Sequence, residues 1–146
     1  MNADQLFQLC NTIALLSWII LISTPFWRQF DKFIIGVVIT LFCIVYAWLV
    51  FKSFHIEDFR SFGTPEGISE LFRNKPVLVA GWVHYLAFDL LAGVFIRKNA
   101  AIHGIPHWIL IPCLLLTFML GPVGLLLYLL LRWIITRNYF ATNVES

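Results

Sequence analysis

The sequence predicts an all-α polytopic membrane protein: a bundle of four transmembrane helices, with a short interfacial amphipathic helix between helices 2 and 3. Three observations predict it. Four apolar runs are each long enough to cross a hydrocarbon core of about 30 Å. Charged residues make up 12% of the chain, against about 25% in a soluble domain. The mean hydropathy is +0.85. One transmembrane domain, 1–146, is expected to hold all of this. A net charge of +2 with no basic stripe excludes a nucleic-acid partner. Cys10, Cys43 and Cys113 lie singly in three apolar runs, without metal-ligand spacing, and are expected to behave as small buried hydrophobes.

The first helix is expected over about 6–24. Residues 1–5 hold an Asp and no Lys or Arg, so the run reads as a retained helix rather than a signal peptide. Asn11 would be costly against lipid, so it is expected to face another helix, as interhelical glue or as a substrate contact. Pro25 stops the helix, and Trp27 and Arg28 read as interfacial anchors. A short connection with Arg28, Asp31 and Lys32 leads to the second helix, 33–51, whose 19 uncharged residues span about 28 Å.

Residues 52–75 form the substantial polar segment. Thr64 as N-cap, Pro65 at the first helical position and Glu66 on the positive end of the dipole start a helix over about 65–74. Ile68, Leu71 and Phe72 share one face, so the helix is expected to lie in the membrane interface.

The third helix, 76–96, opens on Pro76 and closes before Arg97-Lys98. Apart from Arg132 at the very end of the fourth span, Asp89 is the one Asp, Glu, Lys or Arg inside any of the four spans, and it lies close to the midpoint of this one. A charged side chain at that depth costs about 2.5–3.5 kcal/mol on insertion scales, so it is expected to face a bundle interior or a cavity. His84 stands at i−5 from Asp89, about 140° around the helix, so the two do not share a face. Tyr85 stands at i−4 and does, with Trp82 and Gly93 on the same stripe.

The fourth helix is expected over 106–133, 28 residues that would reach about 42 Å if straight. Pro112 and Pro122 each leave a carbonyl four residues earlier without its donor. Gly121-Pro122-Val123-Gly124 is the sharper break, either a packing kink relieved by a neighbour such as Thr117 or a binding site lined by freed backbone. Four spans put both ends on one side. Six Lys/Arg then face that side and four the other, which favours cytoplasmic ends.

The order of features resembles one family. Asn11-Thr-Ile-Ala-Leu-Leu-Ser-Trp18, Pro25-Phe-Trp27, Gly67-Ile-Ser-Glu-Leu-Phe72, Gly81-Trp-Val-His-Tyr-Leu-Ala-Phe-Asp-Leu90 and Gly121-Pro-Val-Gly124 resemble the abscisic-acid-deficient-four-like family. Its plant members are plastid membrane proteins needed to make neoxanthin from violaxanthin. The resemblance covers nearly the whole chain, and Trp-x-His-x-x-x-x-Asp-Leu is its most specific part. Plant members carry a Cys-Pro-Ile-Gly type sequence where this chain has Gly121-Pro-Val-Gly124. With no transit peptide ahead of the first helix, the chain looks like a bacterial or already processed member. The expected location is a bacterial inner membrane or a plastid or thylakoid membrane.

The resemblance implies isomerisation of a carotenoid, an epoxy-xanthophyll or related apolar lipid, by acid–base chemistry in the membrane. Turning an epoxide end group into an allenic alcohol is redox-neutral and needs no cofactor. It needs an acid for the epoxide oxygen and a base for the proton of the adjacent polyene carbon. A desolvated carboxyl group can keep its proton, which suits the acid. Asp89 is the candidate acid, oriented by Tyr85, and His84 the candidate base or relay. Asn11, Trp18, Trp82, Gly121 and Pro122 are candidate substrate contacts.

The alternative is a non-catalytic carotenoid- or lipid-binding or complex-assembly membrane protein, in which Asp89 only fixes helix packing. The expected partners are the lipid bilayer and a carotenoid or other apolar lipid ligand, with a homo-oligomer as an option. Neither metal nor haem is expected. His103 and His107 are separated by Gly104 and Pro106, so helical ligand spacing does not apply to them. No phosphate loop or Ser-His-Asp set is present.

Overall fold

The structure is a computed structural model that describes residues 2–25 and 27–137, with the backbone alone at Ile56 and Glu57. Among the described residues there are helices and no strands. Helix α1 (Ala3–Ser23) opens with a capping box. Asn2 Oδ1 accepts from the Gln5 N–H at 2.9 Å, and Gln5 Oε1 from the Asn2 N–H at 3.0 Å. The helix ends at Thr24, ahead of Pro25 as expected. Helix α2 (Arg28–Ser53) is continuous, with a π-helical stretch over Ile34–Ile39. It starts at Arg28 rather than residue 33, because Arg28, Asp31 and Lys32 build its first turn instead of a connector.

After a 3₁₀ stretch, Ile56–Gly63, comes the short helix α3 (Pro65–Leu71). Its N-cap is the expected one: Thr64 Oγ1 accepts from the Gly67 N–H at 3.1 Å. Helix α4 (Lys75–Ile102) is 28 residues long and takes Arg97 and Lys98 into its last turns. It is the hub of the fold, packing against α1, α2 and the two helices that follow.

Residues 106–133 do not form the expected single helix. They form α5 (His107–Leu120) and α6 (Pro122–Thr136), of 14 and 15 residues, each about 21–23 Å long and too short to cross about 30 Å of hydrocarbon. Pro112 sits inside α5 without ending it. The break is at Gly121, which takes φ +39°, followed by Pro122, which has no N–H to offer the Phe118 carbonyl.

The chain reverses there rather than kinking. Gly124 lies against Thr117 and the Cys113 carbonyl, whereas seven residues of continuous helix would separate Gly124 from Thr117 by about 10 Å. Thr117 does not relieve the break; its hydroxyl bonds the Cys113 carbonyl at 2.8 Å. The levels along α4 agree. The Met119 carbonyl, at the end of α5, accepts from the Tyr85 hydroxyl at 3.3 Å. Tyr128 Oη and Arg132 Nη1, on α6, reach Asn99 Oδ1 at 2.6 and 3.0 Å. The start of α5 lies at that same end, where His107 Nε2 donates to the Ile22 carbonyl at 2.9 Å.

Among the described residues three helices, α1, α2 and α4, are therefore long and apolar enough to cross a membrane, and α5–α6 is a helical hairpin whose tip reaches about halfway along α4. The bundle has two ends. The near end holds the starts of α1 and α4, tied by Lys75 Nζ to Asp4 at 2.7 Å. The far end holds the start of α2 and α5 and the end of α6. Residues 3 and 136 thus lie at opposite ends, and the expected same-side placement fails because the last apolar run turns back. Cys10 and Cys113 are buried as expected, while Cys43 faces outward. Trp18 is packed shut in the core: a β-carbon at Gly93 would stand 2.8 Å from its ring, and Phe118 covers it at 5.7 Å.

Candidate functional site

Asp89 is 7% exposed and faces the hairpin tip. Its Oδ1 lies against Gly121, where a β-carbon would approach it to 2.5 Å. Its Oδ2 is fully buried and has no hydrogen-bond partner. Gly121, the N-cap of α6, has no side chain to cap the helix, and the positive end of the α6 dipole lies beside the carboxyl. A buried acceptor left unmade costs about 1–3 kcal/mol, a standing penalty that a bound donor would remove.

Tyr85, one turn before Asp89 as the spacing requires, sets its hydroxyl beside the carboxyl while donating to the Met119 carbonyl. The tip thus gathers an acid, a phenol and a freed backbone turn at one level of α4. Because the hairpin stops there, the near half of this flank of α4 has no helix over it, and Met119 at the tip is 70% exposed. A run of aromatic rings occupies the uncovered flank. Phe7 of α1 lies 5.8 Å from Trp82, and Trp82 5.5 Å from Tyr85. The Trp82 indole is fixed by its Nε1–H to Asn11 Oδ1 at 2.6 Å, so Asn11 does face another helix.

The structure therefore brings Asp89, Tyr85, Gly121 and Pro122 together, with Trp82 and Asn11 next to them. It does not bring His84 to them. That imidazole is on the other flank of α4, exposed, 5.6 Å from Tyr46 of α2 and 4.5 Å from Phe88. The i, i+5 spacing already sends the two side chains in different directions. Trp18 belongs to the core rather than to the uncovered flank. Among the described residues no three His, Cys, Asp or Glu side chains converge as a metal set. His103 is occupied, its Nδ1–H bonding the Asn99 carbonyl at 2.8 Å.

Two polar clusters escape the sequence. Asp31 and Arg97 are both fully buried and pair at 3.6 Å, and Asn99 binds Tyr128 and Arg132. The signal for Arg97 is its register. It stands four residues after Gly93 and three before Ala100, on the buried stripe of α4.

The family model described as ABA4-like, ABA DEFICIENT 4-like, matches residues 5–128, a span that takes in the whole of this site. No curated protein and no solved structure matches the chain.

Proposed function

Because the chain belongs to the ABA DEFICIENT 4-like family, we propose that it isomerises a carotenoid, an epoxy-xanthophyll or related apolar lipid, within a bacterial inner membrane or a plastid or thylakoid membrane. The observation that carries the proposal is Asp89 Oδ2, an acid oxygen buried at mid-height with nothing bonded to it, at the edge of an uncovered aromatic flank. A polyene entering sideways from lipid would lie along Phe7, Trp82 and Tyr85 with its ring end under the hairpin tip. In this arrangement α3 rests on the membrane surface.

The chemistry needs one proton given and one taken. Asp89 in its neutral form protonates the epoxide oxygen, and the bond from that oxygen to the ring carbon next to the polyene breaks. The adjacent polyene carbon loses its proton, and the electron pair left behind becomes the second double bond of an allene. The oxygen remains as an alcohol, so atoms and electrons balance without a cofactor. His84 faces the other flank, so the Asp89 carboxylate formed in the first step is the base assigned here, with Tyr85 orienting it. A positioned acid–base group contributes about 10²–10⁴-fold.

Expression in a host that accumulates violaxanthin, followed by pigment chromatography, tests this. Wild type and His84→Ala should form the allenic product, and Asp89→Asn should lose at least about a hundredfold of it. Full product from Asp89→Asn would remove the acid role.

The run of neighbouring, mutually tilted rings Phe7–Trp82–Tyr85 also favours a second function, holding a polyene without turning it over. Purified protein that keeps a stable carotenoid spectrum and yields no new pigment would select that one.

A further inference from the structure

At the far end, the start of α2 and the last turns of α4 enclose a pocket of about 590 Å³ lined by Arg28, Asp31, Lys32, Lys98, Ala101 and Ile102. Arg28, Lys32 and Lys98 are exposed around it. Asp31 is fully buried in its wall and already faces Arg97, 3.6 Å away. The pocket and its wall therefore hold four cationic side chains against one carboxylate.

The backbone adds donors rather than acceptors. Trp27, the N-cap of α2, makes no side-chain cap, and the positive end of the α2 dipole lies at Arg28 on the wall of the pocket. The terminal carbonyls of α4 are taken: Asn99 by His103 N–H, Ala101 by Gly104 N–H and Ala100 by Ile105 N–H. Within the wall Arg97 Nη1 donates to the Leu21 carbonyl at 3.4 Å, while both Asp31 oxygens and Arg97 Nε and Nη2 lack hydrogen-bond partners.

We propose that this pocket is a headgroup site for an anionic phospholipid, its phosphodiester held by Arg28, Lys32 and Lys98. A lipid is favoured over a free phosphate because the pocket opens onto apolar surface. Ala101 and the exposed Ile102 line it, where acyl chains would lie, and the exposed Phe33 follows Lys32 in α2. Basic pockets between transmembrane helices take anionic headgroups, and each Lys or Arg adds attraction to a negatively charged membrane surface.

The test uses the full chain purified in detergent, titrated separately with phosphatidylglycerol, phosphatidylcholine and inorganic phosphate, with thermal stability and native mass spectrometry as readouts. The triple variant Arg28→Gln, Lys32→Gln, Lys98→Gln changes only exposed side chains and leaves Asp31 and Arg97 in place. Phosphatidylglycerol should stabilise and stay bound to wild type, and its affinity should fall at least about tenfold in the variant. Equal retention of phosphatidylglycerol by the variant, equal stabilisation by phosphatidylcholine, or an effect of inorganic phosphate as large as that of the lipid would each overturn the proposal. Should the triple variant prove unstable, Lys98→Gln alone replaces it, with a smaller but measurable loss expected and an unchanged affinity counting against the site.

Discussion

The Asp89 carboxyl lies directly against Gly121, and that contact sets both the hairpin tip and the depth of the acid. A β-carbon at Gly121 would stand 2.5 Å from Asp89 Oδ1, and the residue also holds φ +39°. Gly121→Ala should therefore suffer twice, through a positive-φ conformation that disfavours an L side chain and through displacement of Asp89. Lower thermal stability together with a loss of product at least as large as for Asp89→Asn is the expected result. Wild-type stability and turnover in Gly121→Ala would separate the tip from the acid.

Gly124 tests the reversal itself. In the middle of an ordinary helix a Gly-to-Ala change stabilises by about 1 kcal/mol. Here a β-carbon would run into the Thr117 backbone and hydroxyl and the Cys113 carbonyl on the facing helix. Gly124→Ala should accordingly destabilise, the opposite sign, and Gly124→Val more so. A stabilised Gly124→Ala protein in a thermal melt would mean that α5 and α6 do not pack back to back.

What was legible in the sequence, and what was not, divides at this glycine. Helices α1, α2 and α4 follow from apolar runs that match a membrane in length, and the N-cap of α3 from Thr64-Pro65-Glu66, because each rests on local chemistry. Asp89 stands out because it is charged among apolar neighbours, and Tyr85 follows from helical spacing. The hairpin is different. Gly121-Pro122 announces a break, but kink and reversal satisfy the same local rules, and the choice is made by packing of Gly124 on Thr117. One clue was present: 28 residues is too long for one straight crossing and suits two short helices. The buried state of Asp31 is non-local too, since it depends on Arg97, 66 residues away in the chain (97 − 31).

The hairpin changes the sidedness expected of the protein. With α6 turned back, Arg28, Lys32, Arg97, Lys98, Arg132 and Arg137 gather at the far end, and Lys52, Arg60, Arg73 and Lys75 at the near end. By the bias of Lys and Arg toward the untranslocated side, the far end should be that side. Cysteines placed at Arg137 and at His55 in a protein lacking its own three should then label from opposite sides with a membrane-impermeant maleimide. Labelling of both from one side would restore four crossings.

The Asp31–Arg97 pair allows a prediction with a built-in control. Both side chains are fully buried at 3.6 Å, so neither charge has water to fall back on. Removing one partner of such a pair leaves the other uncompensated and typically costs about 3–5 kcal/mol, whereas replacing both with apolar groups of similar size is often neutral. Asp31→Leu and Arg97→Leu should each lower the melting temperature sharply, and the double variant should recover most of the loss. That recovery would show the pair to be a lock between the start of α2 and the end of α4, whose cost comes from a stranded charge rather than from a strong attraction. Additive losses in the double variant would instead mean that each side chain has separate partners, and the lock would have to be sought in the Asn99, Tyr128 and Arg132 cluster at the same end.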